Sequence, residues 1–294
     1  MTKPDRSTKK SAYEPCFPRS WFPPPTSQLG ADYDTRWARK PLARVLRAAM
    51  INGITRPFIR VVATPTIIGV DRLDNLDTPA IFVANHSSHI DTSLMKAVLP
   101  RRFRVRVAVA ARHDYIFDKW WKATIWALWM NTVPIERNKA SRRSVELPLQ
   151  IMKEGWSFAL YPEESRGPND YMLPFKPGAA YLAIKAGLPV VPMHFTGTRR
   201  VFSPYSRRFK PGKTRVVFGE PMYPNEGERP QAFTARIQKA VEQAADEGNT
   251  NWWDAKLRAA NGTTPSLMAP EALTGWRQTW SATEPERIVS TWKP

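Results

Sequence analysis

The chain has 294 residues, 42% hydrophobic and 24% charged, which suits one substantial domain with appendages or two small domains. A formal net charge of +18 calls for an anionic partner: nucleic acid, an anionic bilayer or phosphorylated substrates. The single cysteine, Cys16, excludes an intrachain disulfide framework and any multi-cysteine metal site.

Residues 1–40 are polar and Pro-rich, with a PPP run at 23–25, and read as an irregular extension lacking the apolar core of a signal peptide. Residues 41–78 read as a basic helical segment. Its 41–70 stretch holds four arginines and no acid, and Leu42, Val45, Leu46, Ala49 and Met50 recur at helical spacing. An interruption is expected near Pro57. Such a helix lies in an anionic interface or packs on the protein's own core.

From residue 79 to 248 the texture alternates between strand and helix, which marks this span as the main domain. "PAIFVAN" is a short apolar strand and "DTSLMKAVL" the helix after it. In "RRFRVRVAVAA", Phe103, Val105, Val107 and Val109 alternate with arginines, predicting a strand over the whole stretch. "WWKATIWALWM" is a helix with four tryptophans, too short to cross a bilayer and suited to an interface or a packing face. "SFALYPE" reads as strand then loop, "GAAYLAIKAG" as a helix ended by Gly187, and "LPVVPMHF" as a strand. Residues 199–215 carry seven basic residues and no acid, a solvated or an anion-facing loop. "PQAFTARIQKAVEQAADE" is a helix with Phe233, Ile237, Ala240, Val241 and Ala244 on one stripe. Residues 249–294 are a Trp- and Pro-punctuated extension with no readable chemistry. The expected fold is α/β, a mixed and largely parallel sheet flanked by helices, behind a basic amphipathic helical segment.

The stretch "ANHSSHIDTSL" at 84–94 carries the chemistry. A zinc reading uses His86 and His89 with a third ligand from His113, His194 or a carboxylate, but no HExxH is present. A serine-nucleophile reading uses Ser87, Ser88 or Ser93, without a G-x-S-x-G elbow; adjacent serines also serve as helix N-caps. The third reading makes His86 a general base and Asp91 the carboxylate that fixes its tautomer, with Asn85 bracing the strand-to-helix turn.

Asn85-His86-x4-Asp91 resembles the first block of the glycerolipid acyltransferase family, which includes the lysophosphatidic acid acyltransferases. Further blocks follow in order. "VPIERN" (133–138) resembles the second, placing Glu136 and Arg137; "YPEESRG" resembles the third, placing Glu163 and Arg166; "FKPGAAYLA" matches through Phe175, Lys176 and Gly178; "LPVVPMHF" resembles the fourth. The resemblance covers residues 79–225.

The resemblance implies transfer of a fatty acyl group from an acyl-CoA or acyl carrier protein thioester to a lysolipid hydroxyl. No cofactor or metal is implied beyond that co-substrate. His86 would be the base without a covalent acyl-enzyme, and Arg137, Arg166 and Lys176 the anion binders. Glu163 would be an acceptor-side partner or an orienter of Arg166. Asn85 and Gly178 complete the substrate-binding set. One departure stands out: where the family has glycine after its glutamate, this chain has Glu164, whose charge opens a lysophospholipid or glycolipid acceptor beside lysophosphatidic acid. The partners expected are an anionic membrane surface, met at the cytoplasmic face by a peripheral or monotopic protein, the lysolipid and the acyl donor. No nucleic acid is expected. A non-enzymatic basic protein and a hydrolase using His86 and Asp91 on water are the competing readings.

Overall fold

The structure, a computed structural model, describes residues 33–112, 116–135, 142–166, 171–204 and 208–269. A helical lead-in, α1 (Pro41–Met50), a π-helical stretch (Ile51–Thr55) and α2 (Arg56–Val62), runs into β1 (Pro65–Ile68). Then come β2 (Ile81–Ala84), α3 (Asp91–Val98), α4 (Arg101–Arg104), β3 (Val107–Arg112), α5 (Trp120–Met130) and β4 (Thr132–Ile135). They are followed by α6 (Arg142–Lys153), β5 (Ser157–Leu160), α7 (Gly178–Ala186), β6 (Val190–Thr196) and α8 (Thr198–Val201). The last elements are β7 (Thr214–Phe218), α9 (Pro230–Asn249) and α10 (Trp252–Ala260).

The seven strands form one sheet in the order β1-β7-β6-β2-β5-β3-β4. Every pairing is parallel except β6 with β7. The mixed, largely parallel sheet expected from the sequence is therefore present. β2 is buried on both faces, as a central parallel strand must be: Phe82 and Ala84 join the layer under α2 and α3, while Ile81 and Val83 join the layer under α7 and α9. Phe233, Ile237, Val241 and Ala244 of the α9 stripe are all buried.

Several local expectations give way. The sheet begins at Pro65, inside the span read as helical, because β1 pairs with β7 from Pro65 opposite Thr214. β7 in turn starts within the basic 199–215 stretch. The strand expected over 101–111 starts only at Val107. Pro100 opens a helical turn in which the Phe103 and Arg104 amides bond back to its carbonyl, and Phe103 packs edge-on against Phe82 at 5.4 Å. Pro57 does not stop the leading helix: the π stretch, closed by the Arg56 amide on the Ile51 carbonyl, carries the chain past it. α10, unread in the sequence, is capped by Asn251, whose side chain accepts from the Asp254 amide at 2.9 Å.

The leading helix is packed inside out. Leu42 is 72% and Val45 66% exposed, whereas Arg47 is 1% exposed. Arg47 donates to the Leu128 and Ala127 carbonyls, among the last four of α5, and to the Ala38 carbonyl. It therefore satisfies two of the unpaired acceptors at that helix end. Burial lowers its pKa to about 10, which still leaves it charged at neutral pH. Trp129 of α5 donates to Thr55 Oγ1 at 2.8 Å, a second tie. α5 itself turns Ala123 and Ala127 inward and leaves Trp120, Trp121 and Ile125 outside.

Candidate active site

In open α/β sheets, ligands bind beyond the carboxyl ends of strands where the chain reverses its direction of travel across the sheet. Here that point is β2: the chain leaves it toward β5 and β3 on one side and returns on the other through β6. The residues leaving β2 are Asn85 and His86, and those leaving the adjacent β5 are Tyr161, Pro162 and Glu163. Segments remote in sequence thus meet at one crevice.

His86 Nδ1 lies 2.9 Å from Asp91 Oδ2. Asp91, the first residue of α3, is fully buried, and the same Oδ2 accepts the Ser87 amide at 2.9 Å and the Ser88 amide at 2.8 Å. With two backbone amides donating to that oxygen and Arg166 Nε donating to Nε2, the ring's N–H belongs on Nδ1, toward Asp91. That is the tautomer a general base requires. The ring is further fixed by stacking on Tyr161, with centroids 4.2 Å apart and planes at 17°. Tyr161 shares a hydrogen bond with Thr92 of α3, and burial pushes its phenol well above the ordinary range.

Arg166 Nε donates to His86 Nε2 at 3.1 Å, and its Nη1 reaches His89 Nε2 at 3.4 Å. Burial, with Arg166 beside the ring, lowers the His89 pKa. A guanidinium between the two imidazoles occupies the position a shared metal would need, which argues against the zinc reading from the charge actually present. The serines are also engaged. Ser88 Oγ donates to the Phe202 carbonyl at 2.5 Å and accepts the Ile90 amide, while Ser87 Oγ pairs with Thr198. The expected N-cap role is not theirs, since Ile90 holds that position.

Two residues of the expected substrate-binding set, Glu163 and Asn85, have their polar atoms on backbone groups, as the bracing role expected of Asn85 requires. Glu163 accepts the His86 amide on Oε1 at 2.7 Å and the Leu173 amide on Oε2 at 2.8 Å. Burial pushes its pKa up to about 7, with the two amides and Asp91 as lesser influences. Both oxygens thus fasten the β2 exit to the loops after β5. Asn85 spends its whole amide on Phe195 of β6, donating to the carbonyl at 3.0 Å and accepting the N–H at 2.7 Å. With Glu163 on the His86 amide and Asp91 on the Ser87 and Ser88 amides, these three N–H groups are taken and do not serve as donors to an oxyanion.

The remaining predicted residues stand apart from this network. Lys176 has an exposed side chain, and its amide bonds the Pro162 carbonyl, tying the "FKPG" segment to the Glu163 loop. Gly178 opens α7 with free space where a Cβ would sit. Arg137 and Glu136 lie outside the described residues. Glu164 adopts φ +57°, the left-handed region that suits glycine. The family's glycine at this place therefore answers a backbone need as well as a charge question. Tyr161, Thr92, Thr198 and Phe202 were not legible as site residues. Tyr161, the first residue of the third block, and Thr92, inside the 84–94 stretch, carry a cue in their positions; Thr198 and Phe202 carry none.

Fold and site define an α/β protein with an imidazole–carboxylate pair at the switch point of a mixed sheet. The fold is similar to that of the 1-acyl-sn-glycerophosphate (LPA) acyltransferase PlsC from Thermotoga maritima, with a TM-score of 0.56 over 75% of this chain and 85% of that one at 22% identity. Residues 66–196, a little under half of the chain, match the Acyltransferase family. Its relatives include proteins named 1-acyl-sn-glycerol-3-phosphate acyltransferase. One from Cocos nucifera is 27% identical over 62% of this chain and 58% of its own length. One from Bos taurus, the alpha form, is 30% identical over 53% of each chain. The chain spans a little over half the length of these curated relatives.

Proposed function

We propose that the protein is an O-acyltransferase that moves a fatty acyl chain from an acyl-CoA or acyl-carrier-protein thioester to the hydroxyl of lysophosphatidic acid or a related lysolipid. The observation that carries this reading is the 2.9 Å His86–Asp91 bond, which makes Nε2, the nitrogen Arg166 donates to in this structure, the one that would take the acceptor proton. Nε2 takes the hydroxyl proton as the oxygen bonds to the thioester carbonyl carbon. The tetrahedral intermediate expels the thiolate as the C–S bond breaks, and the imidazolium returns its proton to sulfur. Ester and free thiol are the products, and no acyl-enzyme forms. Asp91 stabilises the imidazolium and holds its orientation, and binding both substrates side by side removes the entropic cost of their encounter.

The membrane is the second part of the proposal. Among the described residues no helix is long and apolar enough to cross a bilayer. The exposed Leu42, Val45, Phe58, Val61, Trp120 and Trp121 belong to α1, α2 and α5, of which α1 packs directly against α5, and they suit a surface lying in the headgroup boundary. The basic 199–215 segment adjoins this face: Phe209 meets Phe58 of α2 edge-on at 5.4 Å and stacks on Phe202 at 4.1 Å. Arg208 and Lys210, exposed on either side of Phe209, supply charge for anionic headgroups, and this favours the anion-facing reading of the segment. We assign the protein to the cytoplasmic face as a peripheral or monotopic enzyme.

The test is incubation of purified protein with radiolabelled acyl thioester and a panel of lysolipids on anionic vesicles. Labelled diacyl product from lysophosphatidic acid supports the proposal. Thiol release that ignores every acceptor supports the hydrolase instead, and salt-sensitive DNA binding without transfer supports the non-enzymatic reading.

A further inference from the structure

A general base ends its step as a cation, so a site built around His86 has to hold an imidazolium as well as an imidazole. Asp91 is a divided counter-charge: the oxygen that faces His86 Nδ1 also accepts the Ser87 and Ser88 amides. Arg166 works against the cation, with its Nε 3.1 Å from Nε2. Glu163 lies on the His86 backbone amide, and burial, raising its pKa to about 7, pushes it toward the neutral form. His89, further along the turn, has its pKa lowered by burial and by Arg166. His194 of β6, which interacts with Asp91, is kept neutral by burial, its pKa lowered to about 4. Neither histidine brings a negative charge.

Tyr161 meets the imidazole on its face instead of its edge, with centroids 4.2 Å apart and planes inclined by 17°. A cation over an aromatic face and within about 6 Å of its centroid is drawn to the negative π cloud, and a neutral imidazole is not drawn in that way. The stack therefore does more for the protonated ring than for the neutral one. It is also built to stay. Tyr161 follows β5 directly, packs on the core layer under α2 and α3, and shares a 3.1 Å hydrogen bond with Thr92. Thr92 comes after Asp91 on α3, so two consecutive residues of one helix hold the imidazole, one at its edge and one through the ring on its face. Burial raises the phenol pKa well above the ordinary range, so the hydroxyl keeps its proton and serves as an anchor, not as an acid or base.

We propose that Tyr161 is a positioning residue for the transfer step: its ring face stabilises the imidazolium that His86 becomes, and Thr92 holds that ring in place. This rests on the acyl-transfer reading above. As the acceptor's O–H proton moves to Nε2 and its oxygen bonds to the thioester carbon, positive charge grows on the imidazole beside Tyr161. When the proton passes to the departing sulfur, that charge is gone. The stabilisation is confined to the charged interval, so it acts on kcat and not on the binding of either substrate.

The experiment measures transfer from acyl-CoA to lysophosphatidic acid between about pH 5 and 9, with phenylalanine and a series of fluorinated phenylalanines placed at position 161. Fluorine withdraws charge from the ring face and leaves the ring's shape nearly unchanged. Tyr161→Phe loses the Thr92 bond, keeps the face and retains most of the wild-type kcat. Each added fluorine lowers kcat and moves the acid limb of the pH–rate profile to lower pH, because a less stabilised imidazolium gives up its proton more easily. Across the series the limb moves by about one pH unit, a tenfold change in that equilibrium, while KM for both substrates stays within about twofold. Tyr161→Leu, with no ring face, lies at the far end. An acid limb that stays put across the fluorinated series overturns the proposal, as does a Tyr161→Leu protein indistinguishable from Tyr161→Phe. The fluorinated rings open no cavity, so the series does not depend on the leucine variant folding. Wild-type transfer with a flat series removes this inference alone; a wild type that transfers to no lysolipid removes the acyl-transfer reading with it.

Discussion

The crevice beyond β2 and the face formed by α1, α2 and α5 depart from the inside–outside rule in opposite directions. In the crevice, Asp91, Glu163 and Asn85 are buried, and each is bound to backbone or imidazole at 2.7–3.0 Å. On the helical face, leucine, valine and tryptophan are outside and Arg47 is inside. Buried polar groups are costly unless hydrogen-bonded, so the crevice is a place of fixed geometry. An exposed apolar patch needs no geometry, only a partner that excludes water. In the proposed function the two departures would divide the labour: one would orient a proton acceptor and the other would meet lipid.

The most severe way to break this division is at the carboxylate. Asp91→Asn can donate to Nδ1 and so reverse the imidazole tautomer; we expect acyl transfer to fall by about a thousandfold. Vesicle binding stays unchanged, as measured by co-sedimentation. If transfer survives, the crevice does not work through this pair.

The next effect is one of pH. Because the Glu163 pKa is raised to about 7, the neutral carboxyl is the form the fold favours. The stability it contributes is full below the unfolded carboxyl's pKa and is lost as pH rises through about 7. Thermal melts of wild type should therefore weaken across that window relative to Glu163→Gln, whose side chain cannot ionise. Parallel curves would show that the brace does not titrate.

The helical face is probed by charge. Leu42→Glu with Val45→Glu should weaken binding to anionic vesicles by roughly tenfold or more, from lost apolar contact and added repulsion. Transfer to a short-chain, water-soluble acceptor should persist. Equal losses on both acceptors would mean that the face is not separate from the crevice. The smallest effect is at Glu164: relieving a left-handed backbone with glycine should stabilise the fold by about 1 kcal/mol, read from chemical denaturation. The same variant tests whether the charge selects the acceptor. A shift toward the phosphomonoester supports that, and unchanged relative rates on matched acceptors leave only the backbone explanation.

The crevice was legible because its parts are short, local and in order. His86 and Asp91 lie on one strand-to-helix turn, and the apolar run 81–84 announces the central strand. Other features are set by tertiary partners that no local pattern carries. The backbone partners of Glu163 and Asn85, at Leu173 and Phe195, are remote or unmarked in sequence, so the pattern alone names neither what Asn85 braces against nor what Glu163 holds. β1 is four residues long and is defined by pairing with β7, some 150 positions away. The alternation over 103–109 was overruled by Pro100 and by the packing of Phe103 on Phe82. The stripe on α1 was read correctly as amphipathic, yet only the buried Arg47 on the opposite side shows which way it faces.

The most direct test replaces the imidazole itself. Purified His86→Ala is assayed beside wild type for transfer of labelled acyl chains to lysophosphatidic acid on anionic vesicles, with folding checked by circular dichroism. The account predicts a folded, vesicle-bound protein whose transfer has dropped by at least a hundredfold, the usual range for a lost general base. A folded His86→Ala protein that transfers at the wild-type rate would contradict it.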